Sequence, residues 1–194
     1  MKKGLDIHNV YAYVLSTLGW YISSEMLEKD VFQIFLSIKN GDIEAIEKML
    51  LQYYNETLDQ KMNDLLNKYP EKENIISETF KAHNNEMYFA STILFLSLTD
   101  GICKGRLFKS KKFIQEYLKT TNSPNIAEAV LGKQSAIDSD TRNSDQTNYF
   151  SDLNRHGIMH GLHWEYGTKK NSLKALSLLC FTSDFVNRNS RIQK

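Results

Sequence analysis

Three of the chain's five histidines, His156, His160 and His163, fall within eight residues directly after Arg155. No other stretch concentrates as much proton-transfer capacity. Imidazole titrates near neutral pH, so it takes up and releases protons at little cost. Guanidinium stays charged, and its planar fork matches two phosphate oxygens. The pair suits cleavage of a phosphodiester. One group handles the proton of the attacking hydroxyl or leaving oxygen, and the other stabilises charge gathering on phosphorus. With RNA the neighbouring 2′-hydroxyl is the nucleophile, and that route needs no metal.

Spacing limits how these groups meet. Arg155 and His160 are five positions apart, about 140° around a regular helix. They share a site only if the helix starts or bends here, or if a second chain completes the site. Gly157 and Gly161 allow such a bend. His156 and His160 have the four-residue spacing of zinc ligands, but no nearby cysteine or second-helix carboxylate completes a set of four, so no metal or other cofactor is expected. A structural reading stands beside the catalytic one: Arg155 and His160 cap a helix and pair with Asp152 or Glu165. His163 and Trp164 fit packing in a loop better than stacking on a base. Asp100, a carboxylate near the end of an apolar helix, needs a partner and either pairs structurally or orients a site histidine.

The elements that must position these groups read as helices. Asp6 caps a first helix expected to run to about Glu25, with Val10, Val14, Leu15, Leu18, Ile22 and Met26 at helical spacing. Glu28–Lys39 forms a second, with Phe32, Phe35 and Leu36 facing inward. Asn40-Gly41-Asp42 closes that helix and caps the next, which runs from Ile43 to about Lys68, with Tyr53 and Tyr54 in the core. Pro70 breaks the chain, and a boundary there separates an N-terminal helical region, 1–69, from a main unit, 70–194. A helix with Ile75, Ile76 and Phe80 ends near Asn84-Asn85. Tyr88–Cys103 is apolar nearly all round, as expected of a central helix.

Residues 104–148 read as irregular, with a short helix from Ser123-Pro124 to near Gly132 and an exposed polar loop over Ser135–Asn148. Lys104, Arg106, Lys109, Lys111 and Lys112 make a basic run without an acid. It is either a solvated loop or a contact to a phosphate backbone. Ser172–Asn187 forms the last helix.

Composition agrees with an all-α chain. Only 2 prolines and 9 glycines occur in 194 residues, and the apolar fraction of 41% suffices for a core. Basic and acidic residues nearly balance, 24 against 23, so overall charge steers no polyanion and any such contact needs a local patch. Cys103 and Cys180 are expected to be buried reduced thiols. Asp6, His8 and Asn9 interrupt what would be a signal sequence, and the apolar run Ile93–Leu98 is too short to span a bilayer. A cytoplasmic location without membrane contact is the expectation.

The spacing Arg155-x4-His160, with a polar residue after the arginine and a glycine after the histidine, resembles the signature of the HEPN superfamily. The wider run Asn154-Arg155-His156-Gly157-Ile158-Met159-His160-Gly161, then Tyr166-Gly167-Thr168 and Asn171-Ser172-Leu173-Lys174-Ala175, looks like a group of bacterial HEPN-like proteins. So do Phe80-Lys81-Ala82-His83 and Asp100-Gly101-Ile102-Cys103. The likeness covers roughly residues 70–188. It implies a HEPN-like helical bundle, here with an N-terminal helical extension, that pairs as a homodimer across a cleft. It implies a metal-independent endoribonuclease of bacterial defence, toxin–antitoxin or stress response, with RNA as substrate and an antitoxin protein as a partner. By position Arg155 and His160 match the catalytic pair, and His156 and Asn154 support it. Leu162 departs from a variant that carries tyrosine there, leaving Tyr166 to approach from the loop. Some members of the superfamily only bind, so the alternative is a non-catalytic module for a protein, RNA or nucleotide.

Overall fold

The computed structural model describes residues 7–23, 25–108, 135–138 and 152–190. All regular structure in that part is helical: α1 (Ile7–Thr17), α2 (Glu28–Asn40), α3 (Ile43–Glu56), α4 (Leu58–Lys68), a 3-10 turn at Pro70–Lys72, α5 (Glu73–Asn84), α6 (Tyr88–Ile102), α7 (Arg155–Met159) and α8 (Lys169–Ser190). The all-α expectation therefore holds. The cap at Asp6, the helix at 123–132, most of the polar loop and the basic residues Lys109, Lys111 and Lys112 lie outside the described residues.

Local chemistry sets most helix ends. Gly41 takes the left-handed conformation, φ +70, which costs glycine nothing. Its N–H and that of Asp42 close on Ile38 and Ser37 carbonyls, and the Asp42 carboxylate accepts from Ala45 N at 3.0 Å to open α3. Two expected helices are shorter than their periodicity. The first stops at Thr17, not near Glu25, because Gly19 turns the chain at φ +79. Trp20 and Tyr21 then enter the core outside any helix, where Tyr21 N donates to Ser177 Oγ and Tyr54 OH donates to Tyr21 O. The long third helix divides at Thr57, whose hydroxyl bonds back to Tyr53 O at 2.7 Å.

The inward face of α2 is also corrected. Ile34 is its buried residue, while Phe32 is 58% exposed and Leu36 is 37% exposed. Phe35 lies against Tyr11, ring centroids 4.4 Å apart. Tyr54 is buried as expected, and Tyr53 packs partly buried beside it.

The last helix is the other central rod. It lies along α6 and also touches α3 and α4, and every residue from Asn171 to Cys180 is buried. Leu173, Leu176 and Phe95 are fully buried there, and each such side chain contributes about 2 kcal/mol of hydrophobic stabilisation. One apolar core holds Trp20, Ile46 and Leu50 together with Phe80, Phe95 and Leu176, so it is continuous across Pro70. Cys103 and Cys180 are free and buried, and burial pushes both thiols up to about 12. No helix of the described residues is long and apolar enough to cross a membrane.

Two lysines lie inside. Lys61 donates to Glu25 at 2.6 Å and to Ser23 Oγ at 3.2 Å. Lys174 bonds Glu47 of α3 at 3.2 Å, and its neighbour Lys170 spans Glu47 and Asp152 at 3.3 and 3.0 Å. Burial drives the Lys174 ammonium down and Glu47 offsets this only partly. Burial alone would raise Glu47, but the two lysines outweigh it and hold its carboxyl below the usual range. A buried ammonium is tolerated only with such partners. The pairs tie α3 to α8 and to the residues entering α7.

Candidate functional site

The segment from Asn154 to Gly161 is a single capped turn. Asn154 is the N-cap of α7 and fully buried; its Oδ1 accepts from Gly157 N at 2.7 Å and its Nδ2 donates to Ala136 O at 3.1 Å. Arg155 N donates to Ile137 O at 2.7 Å. The other end closes as a Schellman motif: Gly161 N, at φ +67, donates to Ile158 O, and Leu162 N donates to Gly157 O at 2.8 Å. Five helical residues held at both ends leave little freedom between them.

Within that turn the two key residues face different neighbours. The Arg155 guanidinium lies 4.5 Å over the Phe108 ring and donates to Asp138 Oδ1 at 3.2 Å. Its side chain is 22% exposed, against 6% for Asp138. His160 is the C-cap and exposed, and its ring sits 4.5 Å from that of His156, tilted 52°. The turn ends at His160, so regular helical geometry no longer sets the angle between these residues. Arg155 is held on a flank packed by Phe108, and His160 stands at the open end.

The supporting residues fall as follows. Asp100 accepts from Leu107 N at 3.2 Å and so fixes the turn after α6. That turn carries Lys104, at φ +56, and Arg106, both exposed, and leads into Phe108. Two of the five basic residues thus stand in the turn that leads into Phe108, the ring under Arg155. Tyr166 packs edge-on to Phe89 at 5.1 Å and stands 6.4 Å from His163. Burial lowers the His163 imidazole, against the opposing pull of Asp152 and Glu165.

Two features of the surroundings are not evident from the sequence alone, a short buried segment and a buried polar cluster. Residues 135–138 are buried rather than part of an exposed loop, because Ala136 and Ile137 carbonyls serve Asn154 and Arg155. The one available signal was Ala136-Ile137, the sole apolar pair in the polar stretch 135–148. Behind the site, His83 Nδ1 lies 2.8 Å from Ser172 Oγ, which lies 2.7 Å from Ser91 Oγ, all buried. Burial and the charge of Lys169 depress His83 to about 4, so it is neutral at physiological pH and joins α5, α6 and α8. Among the described residues no group of three or more His, Cys, Asp or Glu is placed to hold a metal ion.

No family model, curated protein or solved structure matches the chain.

Proposed function

We propose that the chain is a metal-independent endoribonuclease of HEPN type, acting in bacterial defence or a toxin–antitoxin or stress response in the cytoplasm. The observation that carries this reading is the rigid turn that presents an exposed imidazole, His160, one capped helical turn from an oriented guanidinium, Arg155. His160 takes the proton of a 2′-hydroxyl as the 2′-oxygen bonds to phosphorus. The bond from phosphorus to the 5′-oxygen breaks, and a proton returns to that oxygen. The products carry a 2′,3′-cyclic phosphate and a 5′-hydroxyl. Arg155 stabilises the charge on the five-coordinate phosphorus. His156 buttresses the His160 ring, and Asn154 holds the turn. A second copy of the chain sets another such turn across a cleft, and an antitoxin protein restrains the pair.

Purified protein incubated with RNA in EDTA tests this. Cleavage is expected, with His160→Ala and Arg155→Ala each slowing it by roughly 100-fold or more. Intact RNA across several substrates, or unchanged cleavage by His160→Ala, removes the proposal.

One observation favours a second reading, a non-catalytic HEPN-like binding module. The Arg155 charge is already met by Asp138, which suits a structural arginine. Binding that survives the double substitution Arg155→Ala and His160→Ala, without turnover in the parent chain, would select it.

A further inference from the structure

Three aromatic residues, Trp164, Tyr166 and Phe89 of α6, lie along the chain that leads away from His160. Trp164 is 72% exposed and Phe89 55% exposed. The indole passes over Gly161, its Cη2 and Cζ2 3.8 and 3.9 Å from where a Cβ would lie. It therefore covers the residue directly after His160. Phe89 stands at the start of α6, edge-on to Tyr166 at 5.1 Å. Its ring lies so close over Gly167 that a Cβ there would collide with it.

The path between the two ends of α6 is set by contacts at each. Arg155 touches Phe108 beyond the C-terminal end of α6, Tyr166 touches Phe89 at its N-terminal end, and α7 packs on α6 between them. Residues 155–166 thus run antiparallel along a helix about 22 Å long. Cations mark both ends of this track. Lys104, Arg106 and Arg155 stand at one, and exposed Lys169 stands at the other, two residues past Gly167. Glu165 and Glu86 are the exposed acids of the aromatic end.

We propose that Trp164 and Phe89, with Tyr166 behind them, form a stacking platform for the unpaired bases of a single-stranded RNA whose phosphates lie along Lys104, Arg106, Arg155 and Lys169. The inference rests on the ribonuclease reading for the polymer, and on the exposed rings for its single-stranded form. Base faces are open only in unpaired nucleic acid, and aromatic side chains take them with little regard to sequence. A protein groove filled by a partner helix would present a continuous apolar surface. Here the exposed rings are few and separated by polar residues, and cations flank them at both ends of the track, which fits a ligand that carries flat bases on an anionic backbone.

Trp20 is fully buried, so a fluorescence change on adding ligand reports Trp164. The experiment uses the His160→Ala chain, in which RNA survives, titrated with short oligoadenylate and with a blunt RNA duplex. Quenching by oligoadenylate is expected, with little response to the duplex. By labelled-oligonucleotide anisotropy, Trp164→Ala and Phe89→Ala should each weaken binding about tenfold, and Trp164→Phe should lose less. Circular dichroism checks that the variants stay folded, as expected for exposed side chains. Unchanged oligoadenylate affinity in Trp164→Ala overturns the platform while leaving the ribonuclease reading intact. Equal affinity for duplex and single strand overturns it too. A lower sedimentation mass for Trp164→Ala, with unchanged RNA affinity, would show instead that the rings join two copies. Failure of the parent chain either to bind or to cleave RNA would remove both proposals together.

Discussion

At Arg155 a charge is held from two sides, by the Phe108 face and the Asp138 carboxylate. Geometry of this kind fixes direction more than it adds stability, because a partly exposed ion pair contributes only about 1 kcal/mol or less. His83 is a different case. It is almost fully buried, and its folded value of about 4 lies below the ordinary 6.5. Between those two values the unfolded chain binds the proton and the folded chain does not. The stabilisation is therefore complete above pH 6.5 and is lost as pH falls towards 4. Its size is roughly 3 kcal/mol. Urea unfolding followed from pH 7 to 4.5 should show falling stability. His83→Gln, which cannot titrate, should be less stable at pH 7 and flatter across that window. A parallel fall in both proteins would assign the loss to other groups.

Among the elements, α7 shows why ends matter more than length. Gly161 closes it at φ +67 with the Trp164 ring above, so Gly161→Ala meets strain rather than a clash. A loss of about 1–2 kcal/mol in stability is expected, with a larger fall in RNA cleavage because His160 is the adjoining cap. Cleavage that drops only in proportion to folded protein would deny the turn a positioning role. The ion pairs between α3 and α8 give a second contrast. Lys174→Met leaves Glu47 paired with Lys170, whereas Glu47→Gln leaves the buried Lys174 ammonium with Asp152, at 3.9 Å, as its remaining carboxylate and the Trp20 ring 5.7 Å away. Thermal unfolding should therefore show Glu47→Gln as the more damaging change, since an uncompensated buried charge is the costly state.

The same elements show what local sequence encodes. The boundaries at Gly41, Asp42 and Pro70 and the ends of α5 and α6 are local chemistry, and the sequence displays them; at α7 the cap is Asn154, where the sequence suggests Arg155. The break at Thr57 and the early end of α1 at Thr17 also have local causes, at Thr57 itself and at Gly19, but apolar spacing continues through both and masks them. The buried Lys61 and Lys174 carry surface-type side chains, and only the distant partners Glu25 and Glu47 make their burial tolerable. Asp138 likewise meets Arg155 through contacts between distant residues. That a helix starts or bends between Arg155 and His160 was legible from Gly157 and Gly161, while the partner of Arg155 was not, since Asp138 takes the place expected for Asp152 or Glu165.

For the whole molecule, a core shared across Pro70 implies a single cooperative transition. In a Trp164→Phe background, Trp20 fluorescence reports the N-terminal part, and far-ultraviolet circular dichroism reports all the helices. The two urea curves should coincide. A Trp20 transition that precedes the helical one would mean that residues before Pro70 come away first.

The hydrogen bonds from Asn154 to Ala136, and from Arg155 to Ile137, fasten together backbone positions 18 apart in each case. The short strip that carries Ala136 and Ile137 is thereby lashed to the first residues of α7, and Asp138, the next residue along it, meets the guanidinium from a fixed base. Loosening either tie would free that carboxylate and with it the direction of Arg155, without a change at Arg155 itself.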